Sequence, residues 1–353
     1  MMDKGYRNFK EQTLLILERG MVSDHLSRDE LAAEIEHRLR YINYYRLSAY
    51  WYPFRAWTGS GEERHRSVEL CPGTTWETVW QYYLFDRRLR NILFDAISRI
   101  EIALRTRLAH HWAELHTRNN HPQSNLNCYR ASFLKKKGDA PSAKEKLMQM
   151  VNVYYRQSWT DCALHYKRDY KIMDATLLPV WVFMEFTTWG NLCNLIQNGV
   201  KNDIQDSVRA AFGFQDREFF LSAVSLLREA RNACAHQGRI WNIKWKYMEG
   251  KAVSALYLND ILKEPEFPEW HFRWNSNAAS WEAGGLGSML VPDKSSTAAL
   301  LTLCSVIMGR IAPESHWRKR VIDLFDSSPL PDAETEIGFG CAEWRMHPLW
   351  RKA

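Results

Sequence analysis

The sequence predicts an all-α protein. Apolar residues recur at intervals of three and four along most of the chain. One such stripe, Leu89, Leu93, Ala96, Ile100, Ala103, Leu104 and Leu108, is long enough to make a single helix from Trp76 to about His116. No stretch alternates convincingly with period two. With 46% hydrophobic and 25% charged residues, the composition excludes disordered, collagen-like and coiled-coil classes.

The elements follow in order. Leu14, Leu15 and Leu17, then Leu31, Ile35 and Leu39, mark two helices, and Ser27 with Glu30 forms a capping box at the start of the second. The aromatic run Tyr41 to Phe54 breaks at Pro53 and gives way to a polar loop from Thr58 to Arg66. Residues 1–72 therefore read as an N-terminal helical module, and residues 73–330 as a helical bundle. Within the bundle, residues 119–145 read as a mobile basic insertion. Helices are expected near 144–158, 178–198, 203–211, 216–236, 296–311 and 315–326. The Trp-, Pro- and Gly-rich stretch 237–294 reads as irregular, and 331–353 as a Trp-rich tail.

Composition narrows the cellular setting. Seven cysteines without a C-x-x-C pair suit a reduced cytosolic protein better than a disulfide framework or a zinc knuckle. The first ten residues carry Asp3, Lys4, Arg7 and Lys10 and lack the apolar core of a signal peptide. The longest uncharged apolar stretch, Ser295 to Gly309, is shorter than the roughly 18 residues of a membrane span. A cytoplasmic location without membrane contact is expected. The net charge of +6 permits nucleic acid as a partner without requiring it.

Most catalytic signatures are missing: there is no G-x-S-x-G, G-x-x-x-x-G-K-[ST], G-x-G-x-x-G or H-E-x-x-H. The segment with chemical potential is Leu227-Arg-Glu-Ala-Arg-Asn-Ala-Cys-Ala-His236. On a helix, Asn232 and His236 share a face, whereas Arg231 and His236 lie about 140° apart, so Arg231 must reach around or the helix must end there. An imidazole titrating near neutrality can move the proton of a 2′-hydroxyl. A guanidinium can hold the scissile phosphate and oppose its growing charge, and an amide can orient either group. The plain reading of the same residues is a satisfied histidine at a helix end and an arginine in an ordinary ion pair. The Arg-x4-His spacing occurs a second time, at Arg105 and His110, without the following Asn.

Arg231-Asn-Ala-Cys-Ala-His-Gln-Gly-Arg-Ile-Trp-Asn242 resembles the Arg-Asn-x-x-x-His signature of HEPN-type ribonucleases, in the form seen in bacterial abortive-infection (Abi) proteins of the AbiD/AbiF type. Ile42 to Phe54 resembles the aromatic motif of that family, Phe85 to Thr106 its long first helix, and Ile337 to Trp350 its C-terminal tail. Ala49 departs from the Gly common in the aromatic motif, and Gly340-Cys341 from the Pro usual in the tail. The resemblance implies a HEPN-like helical bundle with an N-terminal helical module, acting as a metal-independent endoribonuclease in phage defence. It further implies a homodimer that completes the site, restraint by a small structured noncoding RNA, and Arg231, Asn232 and His236 as the catalytic set. The other reading is a noncatalytic scaffold that holds a partner RNA. Neither requires a cofactor.

Supporting roles are expected nearby. Glu185, the only acid of an apolar helix start, is a candidate to orient Arg231 or His236, and Glu101 with Arg105 forms an i, i+4 pair on the arginine-rich helix. Candidate RNA contacts are Arg130, Lys135, Lys136, Lys137, Arg228, Arg239 and Lys244, with a solvated loop as the other account of the three lysines. Tyr44, Tyr45, Tyr50, Trp51 and Tyr52 suit packing better than base stacking. His110, His111, His116 and His121 do not read as a metal site, since no acid or cysteine joins them at ligand spacing.

Overall fold

A 40-residue helix, Trp76–Leu115, organises the chain. The computed structural model describes residues 5–115, 121–245, 272–275, 280–283, 296–330 and Trp350, and the protein is predominantly helical, as expected. In order the elements are α1 (Phe9–Glu18), α2 (Arg28–Leu39), α3 (Tyr44–Trp51), β1 (Arg55–Thr58), β2 (His65–Leu70), α4 (Trp76–Leu115), α5 (Ala131–Leu134), α6 (Ala143–Gln157), α7 (Asp161–Arg168) and α8 (Val180–Phe183). There follow α9 (Trp189–Asn194), α10 (Asn202–Ala211), α11 (Arg217–Ala235), β3 (Phe272–Asn275), β4 (Ser280–Ala283), α12 (Thr297–Ile311) and α13 (Trp317–Asp326). Among the described residues no single helix is long and apolar enough to cross a membrane.

The chain forms two compact units, and the division falls inside α4 rather than at residue 72. The first unit runs to Asn91 and takes in Arg239–Trp241 and the segment from Asp323. Its α1 and α2 both open with capping boxes, Asn8 with Glu11 and Ser27 with Glu30, which satisfy amides that the helix itself leaves unpaired. The expected polar loop at 58–66 is the turn of an antiparallel hairpin, β1 with β2. Gly59 takes φ 79° there, and a Cβ at that position would lie 2.6 Å from the Glu63 carbonyl oxygen, so the turn requires glycine. The hairpin escapes a search for alternating apolar residues because the Arg64 and Arg66 guanidinium groups cover Trp57 at 4.5 and 4.1 Å instead.

The reason the first unit recruits a distant segment is Asp86, which is fully buried. Its Oδ1 accepts the backbone amides of Ile240 at 2.9 Å and Trp241 at 2.6 Å. Its Oδ2 accepts the Tyr50 hydroxyl at 2.6 Å and the Arg90 guanidinium. Burial and this neighbouring carboxylate push the Tyr50 phenol well above its usual range, so the hydroxyl stays a donor. The Trp241 ring lies 4.1 Å from that of Tyr82 and is stacked on Tyr50. Tyr50 and Trp51 are therefore core residues, whereas Tyr45 and Tyr52 remain exposed.

The second unit contains Ile92–Gly238 and the described residues from Asn242 to Ile322. Leu93, Ala96, Ile97, Ile100, Leu104, Leu108 and Trp112 form the buried stripe of α4 within it. Residues 121–145 are not the loose insertion expected: Cys128, Tyr129 and Phe133 are buried, and Tyr129 bridges Val200. A single helix over 178–198 does not form either. The segment breaks at Thr187, which is extended (φ −85°, ψ 121°), and ends in a π-helical turn over Leu195–Gly199. Gln197 in that turn donates to the Leu221 carbonyl at 3.0 Å and to Ser225 Oγ, tying it to α11. The apolar helix α12 is buried on nearly all sides, as a core helix should be. Strands β3 and β4, within the stretch expected to be irregular, pair antiparallel with Phe272 opposite Ala283. Of the tail only Trp350 lies within the described residues, buried at a ring distance of 6.4 Å from Trp317.

Candidate functional site

Helix α11 carries its core stripe at Phe219, Phe220, Ala223, Val224, Leu227, Ala230 and Cys234. Arg231 follows Ala230 at the edge of that stripe and is half-buried, while Asn232 and His236, one turn apart, are exposed. The helix ends at this point. His236 is the C-cap, Gln237 is left-handed at φ 56°, and Gly238 closes the turn. Gly238 N–H donates to the Ala233 carbonyl at 2.7 Å and Gln237 N–H to that of Cys234 at 3.1 Å, the paired bonds of a Schellman motif. The condition set by the spacing, that the helix terminate at His236, is thus met.

Glu101 on α4 faces the Arg231 flank. Its Oε2 is 3.9 Å from Arg231 Nε, and its Oε1 accepts Arg105 Nη2 at 2.9 Å. Arg105 Nη2 also donates to the Thr187 carbonyl at 3.0 Å, which is free because the helical segment breaks there. One carboxylate therefore serves two cations, and the Nε atoms of Arg105 and Arg231 are both buried without a hydrogen-bond partner among the described residues. Cys193, close to Glu101 and Arg228, is pushed up to about 12 by burial, so its thiol is no nucleophile.

Glu185 lies elsewhere. Trp181 and Glu185, four apart, are the exposed positions of a turn whose Val180, Val182, Phe183, Met184 and Phe186 are buried. Burying those apolar residues turns Glu185 outward, and among the described residues it pairs with neither Arg231 nor His236. Its charge instead adds to burial in raising the Cys162 thiol.

The basic candidates divide by what they already hold. Arg130 donates to the Val200 carbonyl at 2.8 Å, Asn202 Oδ1 at 2.7 Å and Gln205 Oε1 at 3.1 Å, so its guanidinium is a structural tie. Arg239 donates to the Ala49 carbonyl at 2.7 Å in the first unit. Lys136 pairs with Glu145 at 2.9 Å. Lys135, Lys137 and Lys244 are exposed, and Arg228 is half-buried.

The expectation that no acid joins the histidines needs correction. Glu114 Oε2 lies 3.8 Å from His110 Nε2 and 3.2 Å from His111 Nδ1, because i+3 and i+4 neighbours share a helix face. One ligand atom from each of these three residues lies within 4.8 Å of the others, which makes them the group among the described residues able to take a divalent cation. His116 lies outside the described residues. Sequence reasoning missed Asp86 and Thr187. The signal for Asp86 was an acid set between Phe85 and Leu89 on the apolar side of a long helix, whereas a backbone carbonyl such as that of Thr187 leaves none.

The sequence profile described as Abi-like protein matches residues 37–242, a span that includes the aromatic run, all of α4 and the Arg231–Asn242 segment. No curated protein and no solved structure matches the chain. Since the matched span is more than half of the 353 residues, the chain belongs to the Abi-like protein family.

Proposed function

We propose that this protein is a metal-independent endoribonuclease of the HEPN type, of the AbiD/AbiF kind, acting in a bacterial abortive-infection system. Membership of the Abi-like family supports the abortive-infection setting. The observation that carries the chemistry is the end of α11, where half-buried Arg231, 3.9 Å from the Glu101 carboxylate, adjoins exposed Asn232 and His236. In the reaction the 2′-oxygen attacks phosphorus, the bond to the 5′-oxygen breaks, and the products are a 2′,3′-cyclic phosphate and a 5′-hydroxyl. His236 takes the 2′-hydroxyl proton as general base. Arg231 opposes the charge building on the phosphoryl oxygens, and Asn232 orients the phosphate or the imidazole. With one such set per chain, a second copy supplies the acid that protonates the leaving oxygen. A small structured RNA bound at the same surface would keep the enzyme silent.

The test is to incubate end-labelled cellular RNA with wild-type and His236→Ala protein in EDTA. Wild type should cleave and leave cyclic-phosphate ends. The variant should lose at least about a hundredfold in rate while still binding RNA, since His236 is exposed and its removal leaves no cavity. Binding of RNA without cleavage by wild type would replace this reading with that of a noncatalytic RNA scaffold.

A further inference from the structure

The α6–α7 corner of the second unit exposes aromatic rings and cations together. Trp159, in the turn between the two helices, is 82% exposed, and Tyr170, just past α7, is 60% exposed. Tyr170 is stacked on Tyr166 with ring centroids 5.2 Å apart and planes at 25°. Arg156, Arg168 and Lys171 are exposed around them and form no ion pair among the described residues. Of the nearby acids, Asp169 is taken by His165 at 2.7 Å, Asp161 stands in the first turn of α7, and exposed Glu185 is close enough to α7 to raise the Cys162 thiol.

The corner is rigid. Lys167 Nζ donates to the Arg156 carbonyl at 3.0 Å and the Ser158 carbonyl at 2.8 Å, fixing the turn that presents Trp159. The same ammonium lies 5.1 Å from the Tyr155 ring, and the Tyr155 hydroxyl donates to the Ile172 carbonyl at 2.7 Å, holding the segment beyond Tyr170. Lys167 thus acts internally, and the other three cations are left to face solvent.

The geometry points to this corner as a binding platform for single-stranded RNA, with unpaired bases stacking on Trp159 and on Tyr170 and phosphates meeting Arg156, Arg168 and Lys171. Exposed π-faces interleaved with cations outside any ion pair suit the bases and phosphates of single-stranded nucleic acid. The inference rests on RNA being the substrate, and the contacts connect the two places within one unit. The Tyr155 ring meets Phe186 at 5.0 Å, and the next residue, Thr187, accepts Arg105, which binds the Glu101 that holds Arg231.

The experiment measures the affinity of a fluorescein-labelled unstructured RNA by anisotropy, with every variant built on His236→Ala so that nothing is cleaved. Trp159→Ala with Tyr170→Ala should weaken binding roughly ten- to a hundredfold, and Trp159→Phe should keep most of the affinity. Replacing Arg156, Arg168 and Lys171 by Gln should lower the slope of log Kd against log salt by about 2. A duplex of the same sequence should ignore Trp159→Ala, because its bases are already stacked. Unchanged affinity in the double alanine variant overturns the proposal. So does a switch of that variant from dimer to monomer in sedimentation with RNA affinity intact, which would make the corner an interface between copies. Wild type that binds through Trp159 but never cuts RNA sinks the nuclease reading alone. Wild type that cuts but whose affinity ignores Trp159 sinks the platform alone.

Discussion

Glu101 and Arg231, on helices distant in sequence, approach to 3.9 Å, and the same carboxylate holds Arg105 at 2.9 Å. Replacing Glu101 by Gln removes the anion that the two guanidinium groups share. The expected cost is about 1–3 kcal/mol, seen as a lower urea midpoint, together with slower RNA cleavage as Arg231 loses its anchor. Glu101→Asp, which keeps the charge, should recover part of both. A Glu101→Gln protein with wild-type midpoint and rate would show that the carboxylate positions nothing.

Asp86 gathers four donors in a fully buried position, two of them the amides of Ile240 and Trp241. Asp86→Ala removes the carboxylate that the buried Arg90 cation and both amides share, so a loss of about 3–5 kcal/mol is expected. Thermal or urea denaturation measures it. Asp86→Asn should cost less, since the amide oxygen still accepts, and equal losses in the two variants would point to the charge rather than to side-chain shape.

Asp206 provides a pH-dependent contribution. Hydrogen bonds from Arg217 and then Arg209 hold its carboxyl below the ordinary value of 3.8. A carboxylate with a depressed pKa in the folded state stabilises above its unfolded pKa, and that contribution disappears as pH falls through the folded one. Asp206→Asn should therefore cost stability at neutral pH, about 0.5 kcal/mol after screening of a pair this exposed. The difference from wild type should close as pH drops below the carboxylate range. Urea midpoints across pH test the sign, and a gap that widens in acid would contradict it.

What the sequence determined by itself is local. The all-α class, the extent of α4, the Ser27–Glu30 capping box and the end of α11 at His236 follow from spacings of three and four residues, because a helix brings just those neighbours together. Asn232 and His236, four apart, share a face for the same reason. Tertiary structure alone decided the partners. Glu101, not Glu185, meets Arg231, since burying the apolar residues around Glu185 turns it outward and α4 meets the flank of α11. Asp86 reaches amides 154 and 155 residues away, and Arg130 is consumed by the 200–205 turn instead of facing solvent. Helical periodicity tells each residue which side faces inward, but which charge it meets there depends on the element packed opposite, and no local spacing encodes that.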